Sequence, residues 1–281
     1  MKLSPMPTQD ECAHLLRRGD FDSALQCAKE RVRRQPADAD LRIGLFQLFA
    51  VSGQWSRAEE QLRLAAELDP GCDALASAYV RALRAEVERE QVMAGEREPA
   101  LPGGASEWQR ELLAALRHEC EGAAGLAAAC RDRAFEAADA AAGRIDGATF
   151  AWLGDADPRF GPCLEVMLES GYALVAFSQL DALSFDPPAT LSDLLWRPVS
   201  LTWRDGKVDA ALVPSRYPGS ERDERNAVRL GRRTEWRGEG MHSRGAGQRM
   251  LASSEGEHPL LEVVGIVMDA QGRDEASAWP N

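Results

Sequence analysis

The sequence predicts an α+β protein in which a superhelix of paired helices is followed by a small, mainly antiparallel β-rich domain, either a sheet or a barrel. Two observations predict this fold. A segment near the start of the chain repeats, and the spacing of apolar residues changes from helical to alternating after Asp146-Gly147. With 281 residues, of which 44% are hydrophobic and 28% charged, the chain can form one or two ordinary globular cores.

The repeat consists of residues that recur at an interval of 34 positions. The recurring pairs are Gly19 and Gly53, Phe21 and Trp55, Ala24 and Ala58, and Pro36 and Pro70. Glycine ends the first helix of each unit, an aromatic residue opens the second helix, alanine allows close approach, and proline ends the unit. This interval is the period of the tetratricopeptide helix-turn-helix unit. We therefore expect residues 1–95 to form tetratricopeptide-like repeats, with helices over 39–51 and 73–94.

Residues 96–106 contain two prolines and two glycines, which predicts a linker. Apolar residues at helical spacing then predict helices over 107–121 and 123–142, within an additional helical pair that we place at 107–145. Stacked helix pairs form extended surfaces that bind peptides or helices of other proteins. We therefore expect the helical part to bind a protein partner.

The C-terminal region, residues 146–281, has the pattern of short strands. Two hairpins are predicted, one around Ser170-Gly171 with strands over 164–169 and 172–177, and one around Asp205-Gly206 with strands over 199–203 and 208–213. Further strands are predicted over 232–237, 248–252 and 260–268, and a brief helix over 190–196.

The composition argues against several classes of function. The 45 acidic residues outnumber the 33 basic residues and give a formal charge of -12, which disfavours nucleic acid as a partner. The chain has no apolar run long enough to span a membrane and no export signal, so we expect a cytoplasmic protein. The six cysteines and four histidines are dispersed. We expect small buried thiols in a reducing compartment, with neither a metal site nor a cofactor.

Two polar segments are candidates for a functional site. Asp155, Asp157 and Glu165, with Arg159 beside them, could form a metal or acid-base site, but carboxylates that cap a turn before Pro158 explain the pattern better. Residues 216–249 contain nine arginines and five acidic residues. This segment either receives an acidic surface or is an ordinary solvated face, and the sequence leaves both open.

The chain also resembles a known family in a series of ordered motifs. These are LLRRGD at 15–20, LFQLFAVSGQW at 45–55, AAELDP at 65–70, DADPRFGP at 155–162, LWRP at 195–198, PSRYPGSE at 214–221, RTEW at 233–236 and GQRML at 247–251. In this order they resemble the ImpE family, also called SciE or TagJ, which comprises accessory proteins of bacterial type VI secretion. The resemblance spans nearly the whole chain.

The resemblance implies a cytoplasmic, non-catalytic adaptor that binds the N-terminal helix of the small subunit of the contractile sheath. It further implies an influence on how the ClpV unfoldase handles the sheath. The resemblance does not carry a residue-level site with it. Our candidates for a partner-binding or family-motif surface are therefore polar and aromatic motif residues: Asp155, Asp157, Arg159, Arg216, Tyr217, Glu221, Gln248 and Arg249.

Two alternatives belong to other classes of function. The first is a hydrolase that uses Asp155, Asp157 and Glu165 as an acidic site in the C-terminal domain. The second is a scaffold that self-associates through that domain.

Overall fold

A computed structural model of the protein describes residues 9–269. The predicted domains 1–95 and 146–281 therefore extend at their outer ends beyond the described residues. Seven helices come first in the chain: α1 Gln9–Arg17, α2 Phe21–Arg34, α3 Ala39–Val51, α4 Trp55–Leu68, α5 Asp73–Met93, α6 Glu107–Cys120 and α7 Ala124–Ala137. One short helix, α8 Asn226–Arg229, lies in the C-terminal region.

The predicted repeat is confirmed, and its ends have the predicted causes. Gly19 and Gly53 follow the first helix of each pair with φ angles of 78° and 68°, which only glycine adopts without strain. Asp20 caps α2 by accepting a hydrogen bond from Ser23 N at 3.2 Å, and Asp38 caps α3 in the same way. The recurring aromatic and alanine positions are buried between the helices. The 34-residue interval therefore arises from equivalent packing positions in the two helix pairs.

Helix α3 lies between its neighbours, as its nearly continuous apolar sequence predicts. It packs against α2 on one side and α4 on the other, and most of its second half is buried. Helices α6 and α7 also pack on each other. The helix predicted over 123–142 is too long, because α7 ends at Ala137 and residues 143–145 already form the first strand.

The described C-terminal strands are β1 Gly143–Ile145, β2 Ala148–Phe150, β3 Leu153–Asp155, β4 Cys163–Leu168, β5 Gly171–Ala176, β6 Leu180–Phe185, β7 Trp196–Trp203, β8 Val208–Pro214, β9 Thr234–Arg237, β10 Arg244–Gly247, β11 Met250–Ser253, β12 Gly256–Pro259 and β13 Gly265–Met268. Eight of them form one antiparallel sheet in the order β2-β1-β13-β6-β7-β8-β4-β5. The remaining strands form a three-stranded sheet, β12-β11-β3, and a two-stranded sheet, β10-β9.

The sheets are open, so the predicted β-rich domain is confirmed and the barrel alternative is wrong. A closed barrel would require the two outermost strands of the sheet to pair with each other. In the eight-stranded sheet these are β2 and β5, and no pairing joins them in the described residues. Beyond β5, Ala100 forms an isolated bridge to Ala173, and Leu174 N donates to the Ala100 carbonyl at 3.0 Å. The segment predicted to be a linker therefore lies against the edge strand.

Both predicted hairpins are confirmed, because β4 pairs with β5 and β7 with β8 around the predicted turns. The brief helix predicted over 190–196 is wrong, since these residues form a turn in which Trp196 N donates to the Ser192 carbonyl at 2.8 Å, and β7 then begins. Leu183, Val199 and Val213 of the large sheet belong to a second core. The first core is shared by the helices and residues of β4 and β5, including Met167 and Leu174.

The expectation of six free thiols is also wrong. Cys12 of α1 and Cys27 of α2 form a disulfide, with their Cα atoms 5.9 Å apart. Helical stacking brings together two residues that no C-x-x-C spacing signals. Cys72, Cys120, Cys130 and Cys163 remain free.

Candidate functional site

A buried network of ion pairs joins the helical repeats to the β-rich domain. At its centre, Arg89 of α5 donates from Nε to Glu165 Oε1 at 2.6 Å and from Nη2 to Glu165 Oε2 at 2.7 Å. The same Nη2 donates to the Arg216 carbonyl at 2.8 Å. Glu165 lies on β4, next to the edge strand β5, and Tyr172 OH of β5 donates to its Oε1 at 2.6 Å. The carboxylate is thus held from both domains.

A second arginine extends this network towards the three-stranded sheet. Arg249 is fully buried and pairs with both Glu165 and Asp155. Its Nε donates to the Pro214 carbonyl at 2.8 Å, and its guanidinium lies 5.1 Å from the centre of the Tyr217 ring. Tyr217 OH in turn donates to Asp155 Oδ1 at 3.0 Å. These buried charges are partnered, which is the condition under which an interior tolerates them.

The network also contacts the middle of α5 and the C-terminal end of α3. Glu86, one turn before Arg89 on α5, accepts a hydrogen bond from Trp196 Nε1 at 2.8 Å. Arg216 Nη1 donates to the carbonyl of Val51 at 3.0 Å, and Val51 is the last residue of α3. A cation at this position satisfies a carbonyl left free at the helix C-terminus and interacts favourably with the helix dipole.

The pKa values of the two buried carboxyl groups in this network shift in opposite directions. Burial raises the pKa of Asp155 to about 7 despite the adjacent Arg249, and the neighbouring carboxylates of Asp157 and Glu165 add to the rise. Burial also disfavours the ionised form of Glu165, but Arg89 and Arg249 outweigh this and lower its pKa to about 2. Glu165 is therefore ionised at neutral pH, whereas Asp155 can titrate near it.

The structure brings most of the predicted site residues together, but not at the surface. Asp155, Asp157, Arg216, Tyr217, Glu221 and Arg249 are buried, whereas Arg159 and Gln248 are half-buried. The expectation of an exposed surface is wrong for the six buried residues, because most of them supply interior contacts within the C-terminal domain and Arg216 contacts the helices. Whether any of the eight affects partner binding stays a prediction.

Asp157 has the turn-capping role that the sequence favours. Its Oδ1 accepts from the backbone N of Arg159 at 3.0 Å, and its Oδ2 accepts from Arg159 Nη2 at 2.7 Å and from Gly245 N at 2.8 Å. The side chain thus closes its own turn and also connects it to β10. Asp155 likewise accepts from Asp157 N at 2.8 Å.

The arginine-rich segment contacts an acidic surface, and that surface belongs to this chain. Arginines of 216–249 reach acidic residues of α2, α5 and α6. The pairs are Arg229 with Asp22 at 3.0 Å, Arg222 with Glu90 at 2.6 Å, and Arg244 with Glu119. Three of the nine arginines are therefore paired with acidic residues of the helical domain, and these ion pairs join the two domains.

A cleft of about 1510 Å³ lies between α5 and the large sheet. Its walls include Tyr79 and Ala82 of α5 and residues 100–103, and charged side chains at its margins include Arg81, Glu169 and Lys207. The floor is formed by small and apolar side chains: Met167, Pro198, Val208, Ala210 and Leu212. Val208 is 60% exposed although it is apolar. The cleft therefore combines an apolar, partly exposed floor with charged side chains at its margins.

Two kinds of site do not occur in the described part of the chain. Between residues 9 and 269, no group of His, Cys, Asp or Glu side chains is arranged to hold a metal ion. Over the same residues, no helix has both the length and the apolar character needed to cross a membrane.

Sequence reasoning missed Arg89, Glu86 and Trp196, although they are central to the network. Arg89 and Glu165 are 76 residues apart in sequence. No local spacing signals such a pair, and α5 reads as an ordinary helix with a charged face. The one local hint is that Glu86 and Arg89 share a helix face at an interval of three residues.

Comparisons with known proteins agree with this architecture. Residues 15–86 match the tetratricopeptide repeat family, and residues 147–267 match the family described as ImpE protein. The type VI secretion system accessory component TagJ of Pseudomonas aeruginosa is 43% identical over 249 residues, which cover 89% of this chain and 88% of TagJ. A crystal structure of a Vibrio parahaemolyticus protein shares the fold, with a TM-score of 0.84 and 21% identity over 93% of this chain and 98% of the other. The chain therefore belongs to the ImpE and TagJ family.

Proposed function

We propose that this protein is a cytoplasmic, non-catalytic accessory component of a bacterial type VI secretion system. On this proposal it binds the N-terminal helix of the small sheath subunit and modulates how ClpV handles the sheath. Membership of the ImpE and TagJ family supports the accessory role, because the Pseudomonas aeruginosa relative carries that description.

The cleft beside α5 is the observation that carries the adaptor proposal. An α-helix with its side chains is about 10 to 12 Å across, so a volume of about 1510 Å³ corresponds to roughly two and a half to three and a half turns of a helix. An amphipathic helix would place its apolar face on the floor, and charges at the margins would set its register.

The geometry does not favour the hydrolase alternative. Asp155, Asp157 and Glu165 are buried and ion-paired with Arg249, Arg159 and Arg89. General acid-base catalysis requires a group within hydrogen-bonding reach of the substrate. These carboxylates face arginines and not the cleft. Self-association through the C-terminal domain stays a prediction that light scattering can test.

Binding of a peptide that copies the first helix of the sheath subunit tests the proposal. We expect calorimetry to show saturable binding to the native protein, reduced at least tenfold by Ala210→Glu, because the substitution puts a charge on the apolar floor. Ala148→Glu is the matched control, since Ala148 is exposed on β2, at the far edge of the same sheet. Absence of binding to native protein would refute the adaptor proposal. If Ala210→Glu and Ala148→Glu bind the peptide equally well, the cleft is not the binding site.

The ClpV part of the proposal has its own test. Adding the protein to purified sheaths and ClpV should change the rate of ATP-dependent sheath disassembly, measured by light scattering. An unchanged rate at saturating protein would contradict this part and leave helix binding standing.

A further inference from the structure

The disulfide between Cys12 and Cys27 joins the first two helices of the stack. Both residues are buried, with 8% of each exposed, and they lie 15 positions apart in sequence. The other four cysteines are free. Cys72 lies in the turn before α5, and Cys120, Cys130 and Cys163 lie on α6, α7 and β4. The structure thus distinguishes one cysteine pair from the rest.

Helix α1 depends on contacts with α2 for its order. Its described part has nine residues, and helices shorter than about 12 to 15 residues are marginal on their own in water. It lies at the outer end of the stack, where local opening costs least. Leu16 of α1 packs against the core and is only partly buried. A covalent bond to α2 therefore adds a constraint at the place where the stack is weakest.

The turn between α1 and α2 is also a contact point for the C-terminal domain. Asn226 Nδ2 donates to the Gly19 carbonyl at 2.8 Å, and Arg232 Nη1 donates to the Arg17 carbonyl at 3.4 Å. The Arg229 guanidinium lies 4.5 Å from the centre of the Phe21 ring. Movement of α1 would disturb these contacts, so the state of the disulfide is coupled to one end of the domain interface.

We propose that Cys12 and Cys27 form a reversible thiol-disulfide switch that sets whether α1 is firmly docked on α2. Reduction breaks one S–S bond and yields two protein thiols. The two electrons and two protons come from an external dithiol, which becomes a disulfide. The reverse reaction transfers the disulfide from a small-molecule disulfide, which leaves as two thiols. Because both sulfurs are buried, each exchange requires α1 to open first. This switch is separate from the cleft and from helix binding.

Thiol counting tests whether the bond forms. Protein purified without reductant, then unfolded and alkylated, should take up four alkyl groups by mass spectrometry, and six after prior reduction. Peptide mapping should assign the difference to Cys12 and Cys27. Six alkylations without prior reduction, even after incubation with glutathione disulfide, would overturn the proposal.

Hydrogen exchange tests whether the bond controls α1. We expect the amides of α1 to exchange roughly tenfold faster or more in reduced protein than in oxidised protein, whereas those of α6 do not change, since the cross-link limits only local opening of the first repeat. Cys12→Ser should show the fast exchange in both buffers. The control Cys120→Ser, which removes an exposed free thiol, should keep the redox difference. Equal exchange of α1 in both native states, or loss of the difference in Cys120→Ser, would overturn the switch.

Discussion

Arg89 and Glu165 form a buried, two-point ion pair between the helical repeats and the β-rich domain. The atoms Nε and Oε1 are 2.6 Å apart, and Nη2 and Oε2 are 2.7 Å apart. Separation of the domains would leave each charge exposed beside an apolar surface that is buried in the intact protein. We therefore expect the two parts to unfold together in one cooperative transition.

Removing the arginine should destabilise the whole chain. Arg89→Ala leaves Glu165 with Arg249 as its remaining cation, and breaking a buried pair costs about 3 to 5 kcal/mol. Urea unfolding followed by circular dichroism measures the free energy. Arg84→Ala is the control, because Arg84 lies on the same helix with its side chain 63% exposed and pairs with the partly exposed Glu59. We expect a change of about 0.5 kcal/mol or less there. Equal effects in the two variants would contradict the role given to Arg89.

The free energy of unfolding should depend on pH through Asp155. Its pKa is about 7 in the folded protein and near 3.9 in an unfolded chain, so the folded state binds more protons between these values. This carboxyl therefore lowers stability as the pH rises from about 4 to 7, by at most about 1.4 kcal/mol per pH unit. Asp155→Asn should lack this contribution.

Urea unfolding of both proteins at several pH values between 4 and 8 measures that difference. Glu257→Gln serves as the control, because Glu257 is exposed on β12, and its profile should follow the native one. If Asp155→Asn and the native protein show parallel profiles, Asp155 does not titrate in this range.

Two glycines with similar backbone angles should respond differently to alanine. Gly247 has a φ of +89° and Gly206 a φ of +82°, so both substitutions carry the strain of a left-handed residue. A Cβ on Gly247 would lie 1.9 Å from the Arg233 carbonyl oxygen, whereas one on Gly206 meets nothing within 4 Å. We expect Gly206→Ala to cost about 1 to 2 kcal/mol and Gly247→Ala about 3 kcal/mol or more. Thermal unfolding that gives the two variants the same midpoint would be inconsistent with this close approach.

The same aromatic substitution should cost more at Trp196 than at Trp203. Each indole Nε1 donates to a carboxylate at 2.8 Å, to Glu86 and to Asp209 respectively. The Glu86 side chain is 7% exposed and that of Asp209 is 29% exposed, and Asp209 also pairs with Lys207. Trp196→Phe leaves the buried Glu86 Oε1 without its donor, which costs about 1 to 3 kcal/mol, whereas water replaces the indole at Asp209. Chemical denaturation of Trp196→Phe and Trp203→Phe compares them, and a larger loss at Trp203 would reverse the argument.

Local features of the sequence were enough to predict the helical part and the two main hairpins. The glycine, aromatic, alanine and proline positions of the repeat act within one or two helical turns, and the turns at Ser170-Gly171 and Asp205-Gly206 act between adjacent strands. Such short-range rules fail where an element depends on distant partners. Residues 190–196 form a turn instead of a helix. Strand β1 forms at the end of the region 107–145 that the sequence assigns to a helical pair, because β1 pairs with β13 at the other end of the domain.

By itself, the sequence determined the period of the repeat, the change to short strands and the motifs that resemble the ImpE family. Only the tertiary structure decided that those motifs are mostly buried, that arginines of 216–249 pair with acidic residues of the helices, and that α5 and the sheet enclose a cleft. The reason is physical: helix and turn signals act between residues close together in the chain, whereas burial and ion pairing depend on which distant surfaces meet. Arg89 and Glu165 belong to the buried network only because folding brings α5 against β4 and pairs them.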